Sequence, residues 1–336
     1  MRHIDCFNHF IPAGLRAKML KTTGGTRNVG MRMQGIPCIY DVEKRLAMMQ
    51  EFPDYSQVLS LSMPPIEAMA GPAESPDFAK AGNDGLAELV AKHPKPFCGW
   101  VASLPMNNVP EAVKEAERVF EAGANGLQIF TNVNGACLDE PRFLPVFELA
   151  HRAGKPILLH PARGIDVPDF PTETKSKYEI WALLGWPYET QVTMARLIFS
   201  GLMTKLAGIK IVTHHLGAAI PFYDERIGGG WDQLGTRTSD EDLTPILKML
   251  GKRPVDCFRD FYGDTALCGS KAGILCGLEF FGADHVLFAT DCPFDPEKGP
   301  GYIRSTIKTM AELPISTADR DKICWRNAVA MFGLKA

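Results

Sequence analysis

Four of the eight histidines and one aspartate stand at the downstream ends of short apolar runs: His9, His160, His214, His215 and Asp291. Imidazole nitrogens and a carboxylate together suit a divalent first-row ion such as Zn²⁺ or Mn²⁺. An imidazole in such a group can also take and return a proton near neutral pH. Any one of these residues alone would more often pack or cap. Their shared position carries the inference, provided the runs are parallel strands whose ends converge. The other histidines, His3, His93, His151 and His285, fall at strand starts or near helix ends and are expected to face away.

The elements that would position the group are legible as alternating strand and helix patterns. Strand-length apolar runs recur at His3–His9, Gln57–Leu61, Phe97–Ala102, Gly126–Phe130, Pro156–His160, Ile209–His215, Phe261–Asp264 and His285–Asp291. Helical patterns separate them. Pro110–Gly123 opens on proline, sets Ala112, Val113, Ala116, Val119 and Phe120 on one face, and stops at glycine. Pro141–Gly154 repeats that plan, and Glu189–Lys205 gives another helix. Eight buried parallel strands with intervening helices close naturally into a (β/α)₈ barrel, which places the strand ends around one axis. Residues 1–336 are expected to form one such domain, since barrels of this size fold as one unit. Loops 21–37 and 163–186 are longer than connections require and follow strands one and five, on the side where barrel enzymes place lids and pockets.

Composition excludes several alternatives. The chain is 46% hydrophobic and 22% charged with net charge −3, so no basic stripe points to nucleic acid. No apolar run approaches the roughly 20 residues that span a bilayer. Nine cysteines, an odd number without CxxC pairs, read as reduced thiols. Met1–Asp5 enters a strand-like segment at once, leaving no room for a secretion signal, so the cytoplasm is the expected compartment.

The motifs Ile-Asp-Cys-Phe-Asn-His-Phe-Ile-Pro (4–12), Leu-Leu-His-Pro (158–161), Gly-Trp-Pro-Tyr-Glu-Thr-Gln (185–191), Ile-Val-Thr-His-His-Leu-Gly-Ala-Ala-Ile-Pro-Phe (211–222) and Ala-Thr-Asp-Cys-Pro-Phe (289–294) run in order through the chain. Together they resemble the amidohydrolase-2 family, in the branch of aminocarboxymuconate-semialdehyde decarboxylase and the resorcylate and carboxyvanillate decarboxylases. The resemblance implies an amidohydrolase-type barrel with metal ligands at His9, His160 and Asp291. It also implies a catalytic histidine at His215, judged by its spacing to Pro221-Phe222, with Asp291 sharing in catalysis. Strand alternation would then turn His214 to the opposite face. The family's first metal pair is His-x-His or Glu-x-His, and here its first member is Phe7, which cannot ligate. Asp5 could substitute only if the ion sat about one pleat deeper. Arg226 matches an arginine of the relatives, and Arg163 follows the strand-five histidine; either guanidinium suits a substrate carboxylate. Asp264 could orient a histidine or cap a helix, and Trp100 and Gln128 read as barrel packing.

Three functions are compatible with these residues. The first is a metal-dependent carboxy-lyase acting on a small unsaturated or aromatic carboxylic acid, with His215 moving the proton. The second is a metal-dependent hydrolase or hydratase of a related substrate. The third is a metal-free barrel that binds a small acid, which Phe7 brings into view. By analogy with the relatives, a homodimer is expected.

Overall fold

A computed structural model describes residues 1–335. Eight parallel strands form one sheet in sequence order: β1 (His3–Asp5), β2 (Tyr55–Leu61), β3 (Phe97–Ser103), β4 (Gly126–Phe130), β5 (Ile157–His160), β6 (Ile211–Thr213), β7 (Tyr262–Asp264) and β8 (Val286–Leu287). A two-residue extension of the first strand, His9–Phe10, rejoins β2 at Ser60–Leu61. The seam between the last strand and the first is closed by backbone bonds. Cys6 N–H donates to Phe288 (2.9 Å), Asp291 N–H to Phe7 (3.1 Å) and His9 N–H to Cys292 (2.8 Å). The result is a closed (β/α)₈ barrel.

Strand alternation separates two apolar layers. Ile4, Val58, Val101, Leu158, Val212 and Leu287 form an inner layer, which packs against Phe332 and Leu334 near the C-terminus. Leu59, Leu127, Ile157, Leu159, Ile211 and Val286 join the layer shared with the surrounding helices. The inner layer sets the phase of each strand. His160 lies two residues beyond Leu158 and His214 two beyond Val212, so both continue the inner phase of their strands, whereas Asp291 follows the end of β8 on left-handed backbone with a φ of 61°.

Several boundaries differ from the sequence expectation. The first strand breaks at Cys6–Asn8, the sixth stops at Thr213, and the eighth at Leu287. Loop 21–37 is not featureless: it holds short helices at Thr23–Thr26 and Val29–Gln34, and a 3₁₀ turn at Pro37–Ile39. Glu189–Lys205 is two helices, Gly185–Phe199 and Leu202–Lys205, divided at Gly201, whose φ is 80°. The nine cysteines are all free thiols. Among the described residues, no helix is long and apolar enough to cross a membrane.

Candidate active site

His9, His160, His214, His215 and Asp291 meet at the C-terminal ends of their strands. His9 Nε2 lies 3.1 Å from Asp291 Oδ1, His214 Nε2 3.4 Å from the same oxygen, and His215 Nε2 3.8 Å from Oδ2. Ring centroids of His9 and His160 are 5.1 Å apart, and those of His160 and His214 are 5.2 Å apart. One ring nitrogen of each of His9, His160 and His214 falls within 4.8 Å of the others.

The outer nitrogens of these three rings are all committed. His9 Nδ1 donates to the Leu61 carbonyl (3.2 Å) and His160 Nδ1 to the Pro161 carbonyl (2.7 Å). His214 Nδ1 donates to Asp264 Oδ2 (2.6 Å). Anchoring Nδ1 turns each Nε2 toward the common centre, as second partners do around metal-binding imidazoles. The Nε2 atoms of His9 and His214 are buried and make no hydrogen bond, although Asp291 Oδ1 lies 3.1 and 3.4 Å from them. Buried polar atoms left in this way call for a partner. An imidazole and carboxylate set with open nitrogens fits a divalent ion.

Electrostatics follow from burial and these contacts. Burial, aided by His9 and His214, holds His160 well below the ordinary imidazole range. Burial opposes charge on His214 as well, but Asp264 and Asp291 prevail and raise it to about 10. Burial and the neighbouring His214 depress His215. Asp291 stays ionised: burial opposes its charge, yet the imidazoles of His214, His215 and His9 gathered around it pull it well below the carboxylate range.

The position of His214 corrects the sequence expectation. It is not turned away; it shares the inner phase of Val212. His215 reaches Asp291 by another route. The strand has ended, and His215 and Leu216 adopt φ of 58° and 54°, which swings the His215 ring back toward the site. Asp264 does orient a histidine, and it also accepts from the His215 (3.1 Å) and Ala266 (3.0 Å) amides. Asp5 cannot replace the ligand missing at Phe7. Its carboxyl is taken by Tyr55 Oη and Thr290 Oγ1, both at 2.5 Å, and burial pushes it up to about 6. Phe7 itself is fully buried and stacks on His214, with centroids 4.0 Å apart and planes 23° apart. Gln128 donates to the Leu61 carbonyl and Trp100 is buried, as barrel packing requires.

His160 also packs edge-on against Trp186 (5.8 Å) and beside Phe130 (5.2 Å). Val29, Met63 and Ala162, which pack with those two rings, line a cavity of about 840 Å³ over the ends of β2, β4 and β5. Both long loops contribute walls, through Thr23–Val29 and Ala162–Val167. Arg163 lines it, paired with Glu189 at 3.0 Å. Arg226 does not join this group: it is exposed and lines a separate surface cavity of about 680 Å³ with Trp231 and Arg237. Phe130 was legible only as a strand end, and Trp186 only as part of the 163–186 loop and the 185–191 motif. His214 carried a signal as one of two adjacent histidines.

Glu67 lines the larger cavity wall, is 6% exposed, and has an unpartnered Oε1; burial raises it to about 7. A carboxyl raised on folding favours the fold fully below its unfolded value near 4.5 and loses that advantage as pH climbs through about 7. Glu67→Gln is therefore expected to match the wild type in denaturant midpoint at pH 4. It should exceed it at pH 8 by a difference on the order of 3 kcal/mol. Equal midpoints at both pH values would show that Glu67 ionises without cost.

A parallel barrel that gathers imidazoles and a carboxylate at its C-terminal mouth defines a class of enzyme. The chain belongs to the amidohydrolase family, whose model matches residues 4–334. It is 32% identical to a gamma-resorcylate decarboxylase of Polaromonas over 87% of each chain. It is 29% identical to a 2-amino-3-carboxymuconate-6-semialdehyde decarboxylase of Dictyostelium discoideum, over 83% of this chain and 72% of that one. A crystal structure of a dihydroxybenzoic acid decarboxylase from Polaromonas, with bound manganese and the inhibitor 2-nitroresorcinol, superposes with a TM-score of 0.77. It shares 26% identity, and the match covers 99% of this chain and 97% of that one. The 5-carboxyvanillate decarboxylase of Sphingomonas paucimobilis, at 23% identity and 99% coverage of both chains, shares the fold with a TM-score of 0.82.

Proposed function

We propose that this chain is a metal-dependent decarboxylase of a small aromatic or otherwise unsaturated carboxylic acid. The convergence of anchored imidazoles on Asp291 carries the proposal, and the decarboxylase relatives supply the reaction class. The one barrel domain, residues 1–336, would hold the whole activity, in a cytoplasmic homodimer.

His9, His160 and Asp291 would hold a divalent ion, zinc or manganese, which when bound orients the substrate's carboxylate and offsets charge developing on the ring. Losing carbon dioxide leaves an electron pair on carbon that must take up a proton. His215 would supply it. Its side chain is 19% exposed, so it can collect a proton from water and pass it inward beside Asp291. The rings of Phe130 and Trp186 flank His160 and offer flat apolar surface for an unsaturated acid. Arg163, half-paired with Glu189, would meet a carboxylate in the adjoining cavity.

Incubating the metal-loaded protein with a panel of hydroxybenzoates, 2,6-dihydroxybenzoate among them, tests the reaction. Release of carbon dioxide, abolished by a chelator and restored by Zn²⁺ or Mn²⁺, is the expected result. Water incorporated without carbon dioxide release would move the chain to the hydrolases or hydratases, and binding without turnover would mark a non-catalytic barrel.

A further inference from the structure

We infer that His214 is a direct ligand of the metal, supplying the imidazole donor that Phe7 removes from the first strand. This rests on the metal-dependent reading above and gives the site three imidazoles and one carboxylate: His9, His160, His214 and Asp291.

Three observations carry it. First, one nitrogen each of His214, His9 and His160 lie within 4.8 Å of one another, near enough for the three rings to close in on a single ion held about 2.0–2.1 Å from each. Second, His214 has the environment of a metal-binding imidazole. Its Nδ1 is locked on Asp264 at 2.6 Å, in the carboxylate–histidine pairing that fixes tautomer and ring direction. Its Nε2 is buried without a directed hydrogen bond, 3.4 Å from Asp291 Oδ1. Third, Phe7 lies against the same ring. Its centroid is 4.0 Å from that of His214 and 5.7 Å from those of His9 and His160. An apolar ring in the place of the first-strand donor thus buttresses the imidazole that takes over its task. His215 is the other candidate, but its Nε2 is 3.8 Å from the other carboxylate oxygen, and it groups with Asp291 and His214 rather than with His9 and His160.

The test counts nitrogens. Protein stripped with a chelator and reloaded with Cu²⁺ alone is examined by pulsed electron paramagnetic resonance, where each coordinated imidazole contributes a coupling from its remote nitrogen. Wild type is expected to show three equatorial imidazoles, His214→Ala two, and His215→Asn three. Zn²⁺ competition with a chromogenic chelator should find His214→Ala weakened at least about 100-fold and His215→Asn within about threefold of wild type. Because removing His214 leaves Asp264 unpartnered, the double variant Phe7→His/His214→Ala separates ligand loss from damage. It should recover at least about tenfold of the lost affinity, since a histidine at position 7 puts a donor back beside His9.

Wild type that binds Zn²⁺ but coordinates Cu²⁺ through only two imidazoles overturns the role of His214 while leaving metal dependence intact, and needs no variant to fold. Unchanged affinity in His214→Ala does the same. A double variant no better than His214→Ala overturns the exchange between positions 7 and 214. A wild type that takes up no metal overturns the metal-dependent reading as well.

Discussion

Asp291→Asn is expected to lower kcat/KM by at least about 10³-fold and to weaken metal binding in parallel. Asparagine is the informative replacement because residue 291 has a φ of 61°, a conformation that Asn and Asp adopt more readily than other side chains. The backbone bond from the 291 amide to Phe7 that helps close the barrel therefore survives, as does the side-chain volume. What disappears is the negative charge. His9, His214 and His215 all lie within 3.8 Å of that carboxylate, so its loss leaves a buried group of imidazoles with no anion at its centre. In the metal-free variant His214 loses one of the two carboxylates that favour its charged form, and its pKa should fall from the wild-type value of about 10. Circular dichroism and metal analysis beside the kinetics separate the causes. A native spectrum with full activity would remove Asp291 from the chemistry.

His215→Asn is expected to cut kcat by about 10²–10⁴-fold while leaving metal content at the wild-type level. The φ of 58° at His215 again makes asparagine the replacement that keeps the turn. His215 is the partly exposed imidazole of the group, with Nε2 3.8 Å from Asp291, so its removal interrupts the path from water to Asp291 without opening the metal's inner surface. Small acids added to the assay should restore part of the rate if a missing proton donor is the defect. Loss of metal together with activity would show instead that His215 is a ligand and that His214 and His215 have exchanged tasks.

These two residues show why local pattern reaches only part of the site. Apolar runs ending in His160, Asp264 and Asp291 are visible in the chain because alternation and helical spacing are properties of neighbouring residues. From them follow the barrel, the mouth and the meeting of His9, His160, His215 and Asp291. The family motifs add the roles, and they also expose Phe7 as the departure.

The phase of the sixth strand was another matter. Counting back from Pro221 selects His215 and, by alternation, turns His214 outward. In the folded barrel Val212 packs in the inner layer and His214, two residues on, meets Asp291 at its mouth. Where alternation stops cannot be read from hydrophobicity, since the strand ends on left-handed backbone at His215 and Leu216 that no side-chain pattern announces. Asp264 illustrates the same division. Its place at a strand end is local, but its choice between orienting a histidine and capping a helix depends on His214, fifty residues earlier, lying 2.6 Å away. Arg163 and Arg226 had equal standing as loop arginines. One lines the cavity beside His160; the other lies on the helix Asp224–Trp231 and faces an outer surface, because the segments that follow the strands are sorted by tertiary packing rather than by motif. Residue types, strand number and helix order are thus written in neighbouring positions. The direction of each ring, the stacking of Phe7 on His214 and the sharing of one carboxylate by three imidazoles arise from contacts between segments far apart in the chain, which exist only once the barrel has closed.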